Sequence, residues 1–390
     1  MECPHGTVRN GRQTRPVHQL AELITQMTAT DSQPDPKAAA FALYPEIEAM
    51  FAEFPRYREE ILPSRYWEEL NHKNLAQLAD SRYENFKRTL ARNYFTGIIN
   101  PFNVQMRFLM REAGIWQSTK LIASAIFSPR HKLLKRKHTI FCNLLTNLLW
   151  AYVEKNDRNG NLERLSEPLE GNPIQVIRNG RLISQDLANS LIEYETILHP
   201  DLDKREVRTI LELGPGYGRT AYVFLELQPA CRYILVDIPP ALYVAQRYLS
   251  NVFAERKTFG FRPFSDFEAV RADFDEAEII FLTPNQLALL PGNSVDLSIN
   301  ISSLHAMRPD QIRYYFAEIE RLTRKYFYFK QWQETTIPYD NETIREADYP
   351  VGSDWKLLNR QQCKVQAKFF EALYELPLTS TTQNSYTTAT

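Results

Sequence analysis

The stretch Thr209-Ile-Leu-Glu-Leu-Gly-Pro-Gly-Tyr-Gly-Arg-Thr220 decides the fold of this chain. An apolar run leads into three glycines at alternate positions, Gly214, Gly216 and Gly218, and a segment with helical apolar spacing follows. This order predicts a strand, a tight turn and the first turn of a helix, whose backbone N–H groups can hold a nucleotide-like ligand. The dinucleotide motif G-x-G-x-x-G would need its third glycine at Arg219, so the spacing disfavours a dehydrogenase.

Two acidic residues flank the glycine turn. Glu212 stands two residues before the first glycine, where a carboxylate suits a cationic or amine-bearing ligand better than a pyrophosphate. Asp237 ends the next predicted strand, at a position that accepts hydrogen bonds from ribose hydroxyls in doubly wound folds. Alternatively, Asp237 only caps the helix that follows Pro239 and Pro240. Glycines and acids together predict a site for S-adenosylmethionine; the alternative is a glycine-rich turn that binds nothing.

Bulk properties narrow the function classes. The net charge of the 390 residues is −1, so no overall field attracts nucleic acid or an anionic membrane. Four cysteines are far apart in the sequence and predict neither a metal cluster nor a disulfide framework. The longest apolar segment, 140–153, is interrupted by polar residues and predicts a buried helix rather than a membrane span. We therefore expect a cytoplasmic protein.

The chain divides into four stretches. Residues 1–38 and 377–390 are polar, and we expect a mobile N-terminal segment and a disordered tail. Residues 39–170 have mainly helical patterns and are expected to form a substrate or dimer region. Residues 171–376 are expected to form the cofactor-binding domain. A basic cluster at 130–138 is either a solvated helix face or a patch for a phosphate-bearing acceptor or an acidic partner.

Strand and helix patterns alternate after residue 208. This alternation predicts an α/β fold: a doubly wound, mostly parallel, Rossmann-like sheet with an α-helical N-terminal region. Before it, an Asn-Gly turn at 179–180 predicts a hairpin, and Ser184 can cap the next helix. The predicted strands are 208–213, 232–237, 278–283, 294–301 and 325–331, and the predicted helices are 218–227, 240–254 and 310–324.

Polar side chains follow the carboxyl ends of these strands, where doubly wound folds bind their ligands. Thr283 and Asn285 follow the third strand and are expected to border an adenine. Tyr194, on the helix before the glycine turn, is expected to reach the methionine end of the cofactor, with a core position as the alternative. The fourth and fifth strands are followed by Asn300, Ser302, Ser303, His305, Lys330, Gln331 and Trp332.

Several motifs of the chain resemble those of class I S-adenosylmethionine-dependent methyltransferases. They are Glu212-Leu-Gly-Pro-Gly-Tyr-Gly218, Val236-Asp-Ile238 and Val295-Asp-Leu-Ser-Ile-Asn300. More narrowly, the chain resembles the sugar O-methyltransferase family across residues 64–375. The motifs of this narrower resemblance are Glu84-Asn-Phe-Lys-Arg88, Asn93-Tyr-Phe95, Gly171-Asn-Pro173, Leu191-Ile-Glu-Tyr194 and Ser303-Leu-His-Ala-Met307.

The resemblance implies a role for several residues. It implies that Glu212 and the glycine turn hold the methionine portion, that Asp237 holds the ribose hydroxyls and that Ile238 packs on the adenine. Asn300 would lie beside the methionine portion. The helical N-terminal half would shape the acceptor pocket and supply a homodimer contact. Similar sequences often carry a glutamate where this chain has Ala306, so that carboxylate role is not carried over.

Methyl transfer to a hydroxyl needs a base that removes the proton. His305 is the candidate for this base. The sequence contains seven histidines, and only His305 falls at the end of a predicted strand beside the expected cofactor. Ser303, Lys330, Trp332 and Tyr339 are the candidate substrate residues.

Two further features lie near the expected acceptor. Trp355 is a second candidate, after Trp332, for stacking on a sugar ring, with a core position as the alternative. Asp340 and Glu342 offer carboxylates without tight ligand spacing, so we expect no divalent metal. The sequence thus predicts an O-methyltransferase acting on a sugar or glycosylated small molecule. The alternatives are a non-sugar acceptor, methylated on oxygen or nitrogen, and a non-catalytic partner subunit.

Overall fold

The structure is a computed structural model that describes residues 35–95, 104–127, 136–157, 159–198, 206–337 and 341–378. Tyr339, Asp340, the side chains of the basic cluster and most of the two terminal segments lie outside the described residues. The first described helix begins at Pro36, inside the segment that we expected to be mobile.

Helices make up most of the N-terminal region, as the sequence predicts. None of the helices within the described ranges combines the length and apolar character that crossing a membrane requires. The predicted buried segment lies in the last of them, where Leu148, Leu149 and Trp150 are buried. The helices are α1 (Pro36–Leu43), α2 (Pro45–Phe51), α3 (Arg65–Ser81), α4 (Ala91–Phe95), α5 (Val104–Phe127) and α6 (Arg136–Asn156).

The predicted hairpin and its helix cap are confirmed. Strand β1 (Val176–Arg178) pairs with β2 (Arg181–Ile183) in antiparallel register. Asn179 and Gly180 both have positive φ, as a two-residue turn between twisted strands requires. The Ser184 hydroxyl accepts a hydrogen bond from the Leu187 amide at 3.0 Å and caps helix α7 (Gln185–Ile197).

The main sheet has eight strands in the order β11-β12-β8-β7-β3-β4-β6-β5. The strands are β3 (Thr209–Leu213), β4 (Arg232–Val236), β5 (Thr258–Phe259), β6 (Ile279–Leu282), β7 (Val295–Ile301), β8 (Thr323–Trp332), β11 (Lys356–Gln362) and β12 (Phe369–Glu375). All neighbours from β5 to β8 run parallel, whereas β12 is antiparallel to both β8 and β11. The predicted doubly wound, mostly parallel α/β fold is thus the observed one.

Helices cover both faces of this sheet, which explains why every residue of the central strands β3 and β7 is buried, including polar residues such as Glu212 and Asn300. Ile210 and Tyr233 belong to the core under α7, α8 (Arg219–Leu227) and α9 (Ala241–Val252). Leu211 and Ile234 belong to the opposite core, which is covered by α12 (Pro309–Leu322). The remaining helices are α10 (Arg271–Glu276) and α11 (Pro284–Leu287).

The strand order places the switch point of the sheet between β3 and β7. From β3 the chain continues to β4 and β6 on one side, and it then crosses to β7 and β8 on the other. Ligands of doubly wound sheets bind outside the carboxyl ends of the strands at this point. The glycine turn after β3 lies there.

The antiparallel end of the sheet corrects the sequence prediction. The sequence patterns predicted neither β11 nor β12. Residues between β8 and β11 form a short hairpin, β9 (Glu334–Thr336) with β10 (Thr343–Arg345). Trp355, considered above for sugar stacking, is instead buried, with its ring parallel to that of Phe316 at 5.9 Å.

Candidate active site

The glycine turn comes too close to its neighbours for larger residues. Gly214, Gly216 and Gly218 all have positive φ, between 60° and 86°, which glycine adopts without strain. A Cβ atom on Gly214 would lie 2.5 Å from the Ser303 hydroxyl oxygen, which follows β7. The turn and the end of β7 therefore form two adjoining walls of the site.

Asp237 is joined to the glycine turn. Its carboxylate accepts hydrogen bonds from the Gly216 amide at 3.0 Å and from the Ile238 amide at 2.8 Å. Burial raises the pKa of this carboxyl from 3.8 to about 7, although both amides act in the opposite direction. Helix α9 begins only at Ala241 and shows no side-chain cap, so Asp237 does not cap it.

A cleft opens at the switch point above these residues. Its walls are mainly apolar, and Asp237 is the only charged residue among the described residues that line it. The lining residues are Ile61, Pro63, Trp67, Leu213, Gly214, Gly216, Val236, Asp237, Ile238, Pro284, Ile301, Ser302, Ser303, Met307, Gln311 and Tyr315. The structure thus brings together five predicted site residues: Gly214, Gly216, Asp237, Ile238 and Ser303.

The N-terminal region covers one side of this cleft with residues 59–67, a segment that we call the roof. Ile61, Pro63 and Trp67 line the cleft from this side. Gln311 of α12 donates a hydrogen bond from its amide nitrogen to the carbonyl oxygen of Leu62 at 2.9 Å, which fixes the roof to the sheet domain. Sequence reasoning missed these residues because their contacts join positions almost 250 apart in the chain.

Thr283 and Asn285 are not among the described residues that line the cleft, whereas Pro284 between them is. The Thr283 hydroxyl donates to the Asn285 side-chain oxygen at 2.7 Å. The amide nitrogen of Asn285 donates to Glu53 at 2.9 Å. Their observed role is to join the start of α11 to the N-terminal region.

Backbone strain marks the end of β7. Ser302 has a φ of 59°, which is uncommon for a residue with a side chain, and its amide donates to the Lys330 carbonyl oxygen at 2.8 Å. Such strain concentrates at functional sites, where the surrounding structure enforces it. Ser302 and Ser303 both line the cleft, and the Ser303 hydroxyl accepts a hydrogen bond from the Asn300 side chain at 2.6 Å.

His305 lies just beyond, in a short helical turn. Its Nδ1 atom is 3.0 Å from the side-chain oxygen of Gln331. Its ring lies 5.8 Å from that of Trp332 and 6.3 Å from that of Phe369. Burial lowers the pKa of this imidazole from 6.5 to about 4, so the ring is neutral near pH 7. Neither His305 nor Trp332 is among the described residues that line the cleft.

Glu212 and Tyr194 lie on the other face of the sheet, away from the cleft. Glu212 accepts a hydrogen bond from the Tyr233 hydroxyl at 2.8 Å, and burial raises its pKa to about 7. Tyr194 packs edge-on against Phe224 at 4.9 Å, so the core position is the observed one. Gly218 starts α8 and packs near Leu249.

Lys330 is part of a buried ion network. Its ammonium group donates to Glu193 at 2.8 Å, and Arg219 donates to the other oxygen of Glu193 at 2.5 Å. Burial alone would raise the pKa of Glu193, but the two cations hold it below its ordinary value. Lys330 is only 2% exposed, so the substrate role expected for it is corrected to a structural one.

Two of the motifs named above, 84–88 and 171–173, meet in the structure as a single joint. The Lys87 amide donates to the Gly171 carbonyl oxygen at 3.0 Å, and Arg88 donates to the carbonyl oxygen of Asn172 at 2.7 Å. Phe86 packs at 5.3 Å against Tyr217 of the glycine turn. These motifs therefore hold the helical region against the back of the turn.

No group of three His, Cys, Asp or Glu residues with the arrangement of a metal site occurs in the described part of the chain. The structure is thus a doubly wound α/β protein with a cleft at its switch point. No protein-family model matches the chain, and no curated protein matches it either.

Solved structures with a similar arrangement include several methyltransferases. Magnesium protoporphyrin IX methyltransferase from Synechocystis PCC 6803, solved with S-adenosylhomocysteine, is 14% identical over 49% of this chain and 86% of its own, with a TM-score of 0.35. The 1,6-didemethyltoxoflavin-N1-methyltransferase of Burkholderia thailandensis is 16% identical over 50% of this chain and 79% of its own, with a TM-score of 0.33. A SAM-dependent methyltransferase from Aquifex aeolicus is 14% identical over 57% of this chain and 96% of its own, with a TM-score of 0.28.

Proposed function

We propose that the protein is an S-adenosylmethionine-dependent methyltransferase. The observation that carries this proposal is the single carboxyl group in the cleft, which is the one acidic side chain among the described lining residues. Asp237 is a half-buried carboxyl group between apolar walls, and no Lys, Arg or His is among the described residues that line the cleft. Such a site favours a cationic ligand with a ribose over a ligand with a pyrophosphate, because a pyrophosphate would add two negative charges beside the carboxylate.

The residues of the cleft fit this cofactor. The Asp237 carboxylate would accept hydrogen bonds from the ribose hydroxyls, and Ile238 and Pro284 offer apolar surface to the adenine. The close approach of Gly214 to Ser303 leaves room for backbone, but not for a larger residue, beside the methionine portion. When bound, the cofactor supplies a methyl group that is already activated for transfer by its sulfonium.

The acceptor that we propose is a hydroxyl group of a sugar or glycosylated small molecule. A hydroxyl must lose its proton during transfer, and His305 offers a neutral imidazole at the end of β7 for this step. Ser302, Ser303 and Trp332 would orient the acceptor so that its oxygen points in line with the methyl group. A non-sugar acceptor fits the same residues, and an amine acceptor would not need His305.

Calorimetric titration with S-adenosylhomocysteine tests the cofactor. We expect Asp237→Ala to weaken binding about 100-fold, because two hydrogen bonds to a carboxylate are lost. The matched control is Asp275→Ala, an exposed acid outside the cleft, which should bind like the unmodified protein. If Asp237→Ala bound S-adenosylhomocysteine as tightly as the unmodified protein, the proposed cofactor would be wrong. Binding of reduced nicotinamide cofactor instead would point to a dehydrogenase.

A screen of sugars and glycosides with an isotope-labelled methyl donor, read by mass spectrometry, tests the acceptor. On an acceptor found in this way, His305→Gln should reduce turnover by about 10²- to 10⁴-fold, the usual contribution of a general base. The control His72→Gln replaces an exposed histidine of α3 and should leave turnover unchanged. Full turnover by His305→Gln would favour N-methylation or a different base.

A further inference from the structure

We infer that Gln331 is a positioning residue that holds His305 in one tautomer, with the proton on Nδ1 and the lone pair on Nε2. This inference rests on the proposed function, in which His305 accepts a proton. It follows from a chain of three side chains that lead from β3 to the imidazole: Asn300, Gln331 and His305. Each link is oriented by the one before it, and two backbone groups anchor the chain.

The first link orients Asn300. Its Nδ2 atom lies 2.8 Å from the carbonyl oxygen of Leu213, the residue directly before the glycine turn. A carbonyl oxygen can only accept, so the NH₂ group of Asn300 must face Leu213. The side-chain oxygen of Asn300 therefore faces the other way, where it lies 2.5 Å from the Nε2 atom of Gln331.

The second link orients Gln331. Its NH₂ group donates to Asn300, which leaves its side-chain oxygen directed at His305. A second, independent contact supports this orientation, because the backbone amide of His305 donates to the same oxygen at 3.2 Å. A backbone amide can only donate, so the atom that it meets is the oxygen and not the nitrogen of Gln331.

The third link decides the tautomer of His305. The Nδ1 atom lies 3.0 Å from the Gln331 oxygen, which has no proton to give. Nδ1 must therefore carry the proton, and in the neutral ring Nε2 carries the lone pair. Within the described part of the chain, Nε2 has no hydrogen-bond partner, so it is available to a proton from an acceptor.

Burial makes this chain of hydrogen bonds rigid. Asn300 and Gln331 are both fully buried, so water does not compete for their hydrogen bonds. The chain also joins two parts of the site, because it begins at the residue before Gly214 and ends at the candidate base. If Asn300 and Gln331 served only to satisfy buried polar groups, their chain of hydrogen bonds would not need to end at the imidazole nitrogen of His305.

Nitrogen NMR of protein with ¹⁵N-labelled histidine tests the tautomer without any acceptor. The resonances of His305 are assigned by their loss in His305→Gln. We expect a pyridine-like Nε2 and a protonated Nδ1 in the unmodified protein, and a mixture of tautomers in Gln331→Met, which keeps the length of the side chain but removes its oxygen. A pyridine-like Nδ1 in the unmodified protein, or an unchanged tautomer in Gln331→Met, would overturn the inference.

Kinetics on the acceptor found by the screen separate positioning from a purely structural role. Gln331→Met should lower kcat by about 10- to 100-fold, as for other residues that orient a catalytic side chain, with KM unchanged. Gln331→Glu should shift the acid limb of the pH profile to higher pH, because a carboxylate beside Nδ1 favours the imidazolium. The control is Gln361→Met, which replaces a glutamine that contacts Glu371 elsewhere in the sheet.

The two proposals fail in different ways. Loss of S-adenosylhomocysteine binding in Gln331→Met would mean a structural role and would overturn the inference alone. Full turnover by His305→Gln would remove the base from the proposed function, even where the NMR spectrum shows the expected tautomer.

Discussion

At the scale of single residues, Asp237 combines a position in the lining of the cleft with an environment that disfavours its charge. Its carboxyl group is half-buried in a mainly apolar cleft, and two backbone amides are its hydrogen-bond donors. Its pKa of about 7, against an ordinary value of 3.8, means that the folded protein favours the protonated form. The ionised form therefore destabilises the protein without ligand above this pKa, and a cationic ligand would relieve that penalty.

Asp237→Asn should stabilise the ligand-free protein at high pH. The asparagine does not titrate, whereas ionisation of Asp237 lowers stability progressively as the pH rises from about 4 through 7. We expect the free energy of unfolding of the variant to exceed that of the unmodified protein by about 1–3 kcal/mol at pH 8, below the limit of about 4 kcal/mol for a pKa change of this size. Urea unfolding at pH 8 and pH 5 measures the difference.

The difference between the two proteins should shrink at pH 5, where the folded unmodified protein holds its proton. Asp275→Asn, on the surface, should show no such dependence on pH. A gain that is equally large at both pH values would contradict a raised pKa for Asp237.

At the scale of structural elements, the joint between residues 84–88 and 171–173 fixes the helical region to the glycine turn. Gly171 has a φ of 77°, and a Cβ atom at this position would lie 2.2 Å from the ring of Phe86. The Phe86 ring also contacts Tyr217 and Tyr248, at 5.3 and 5.7 Å. A change at this joint should therefore reach the glycine turn through packing.

Gly171→Ala should destabilise the protein by about 2–4 kcal/mol, the sum of backbone strain and overpacking against Phe86. The matched control is Gly160→Ala. Gly160 has a similar φ of 67° but open space where the Cβ atom would lie, so only the strain of about 1 kcal/mol remains. Urea unfolding of both variants measures the difference, and equal losses would show that the contact with Phe86 is unimportant.

At the scale of the whole molecule, the cleft is shared between two parts of the chain. The sheet domain supplies the floor, and the roof, residues 59–67, supplies Ile61, Pro63 and Trp67. Arg308 and Gln311 hold the roof through hydrogen bonds to its backbone carbonyl oxygens. A ligand in the cleft would therefore contact both parts and stabilise their association.

S-adenosylhomocysteine should slow amide hydrogen exchange in the roof as well as in the glycine turn. The reason is that local opening of the roof would have to break contacts with the ligand. Helix α5, which does not line the cleft, serves as the internal control and should exchange at an unchanged rate. Protection confined to the glycine turn, measured by mass spectrometry, would show that the roof takes no part in binding.

Local sequence determined much of this protein. The glycine turn, the hairpin at 179–180, the Ser184 cap and the central parallel strands were all predicted, because φ preferences and apolar periodicity act between neighbouring residues. The antiparallel strands β11 and β12 were missed. Strand β11 (Lys356–Gln362) is half exposed and mostly polar, so it lacks the apolar run by which the buried strands were recognised.

Only the tertiary structure decided which polar side chains meet. The sequence placed Glu212, Lys330 and His305 near strand ends without telling which face of the sheet each would take. Glu212 and Lys330 turn to the face where Tyr233 and Glu193 satisfy them, and His305 pairs with Gln331. A buried polar group must find a partner, and that partner is brought by a distant part of the chain, so no local pattern encodes the pairing.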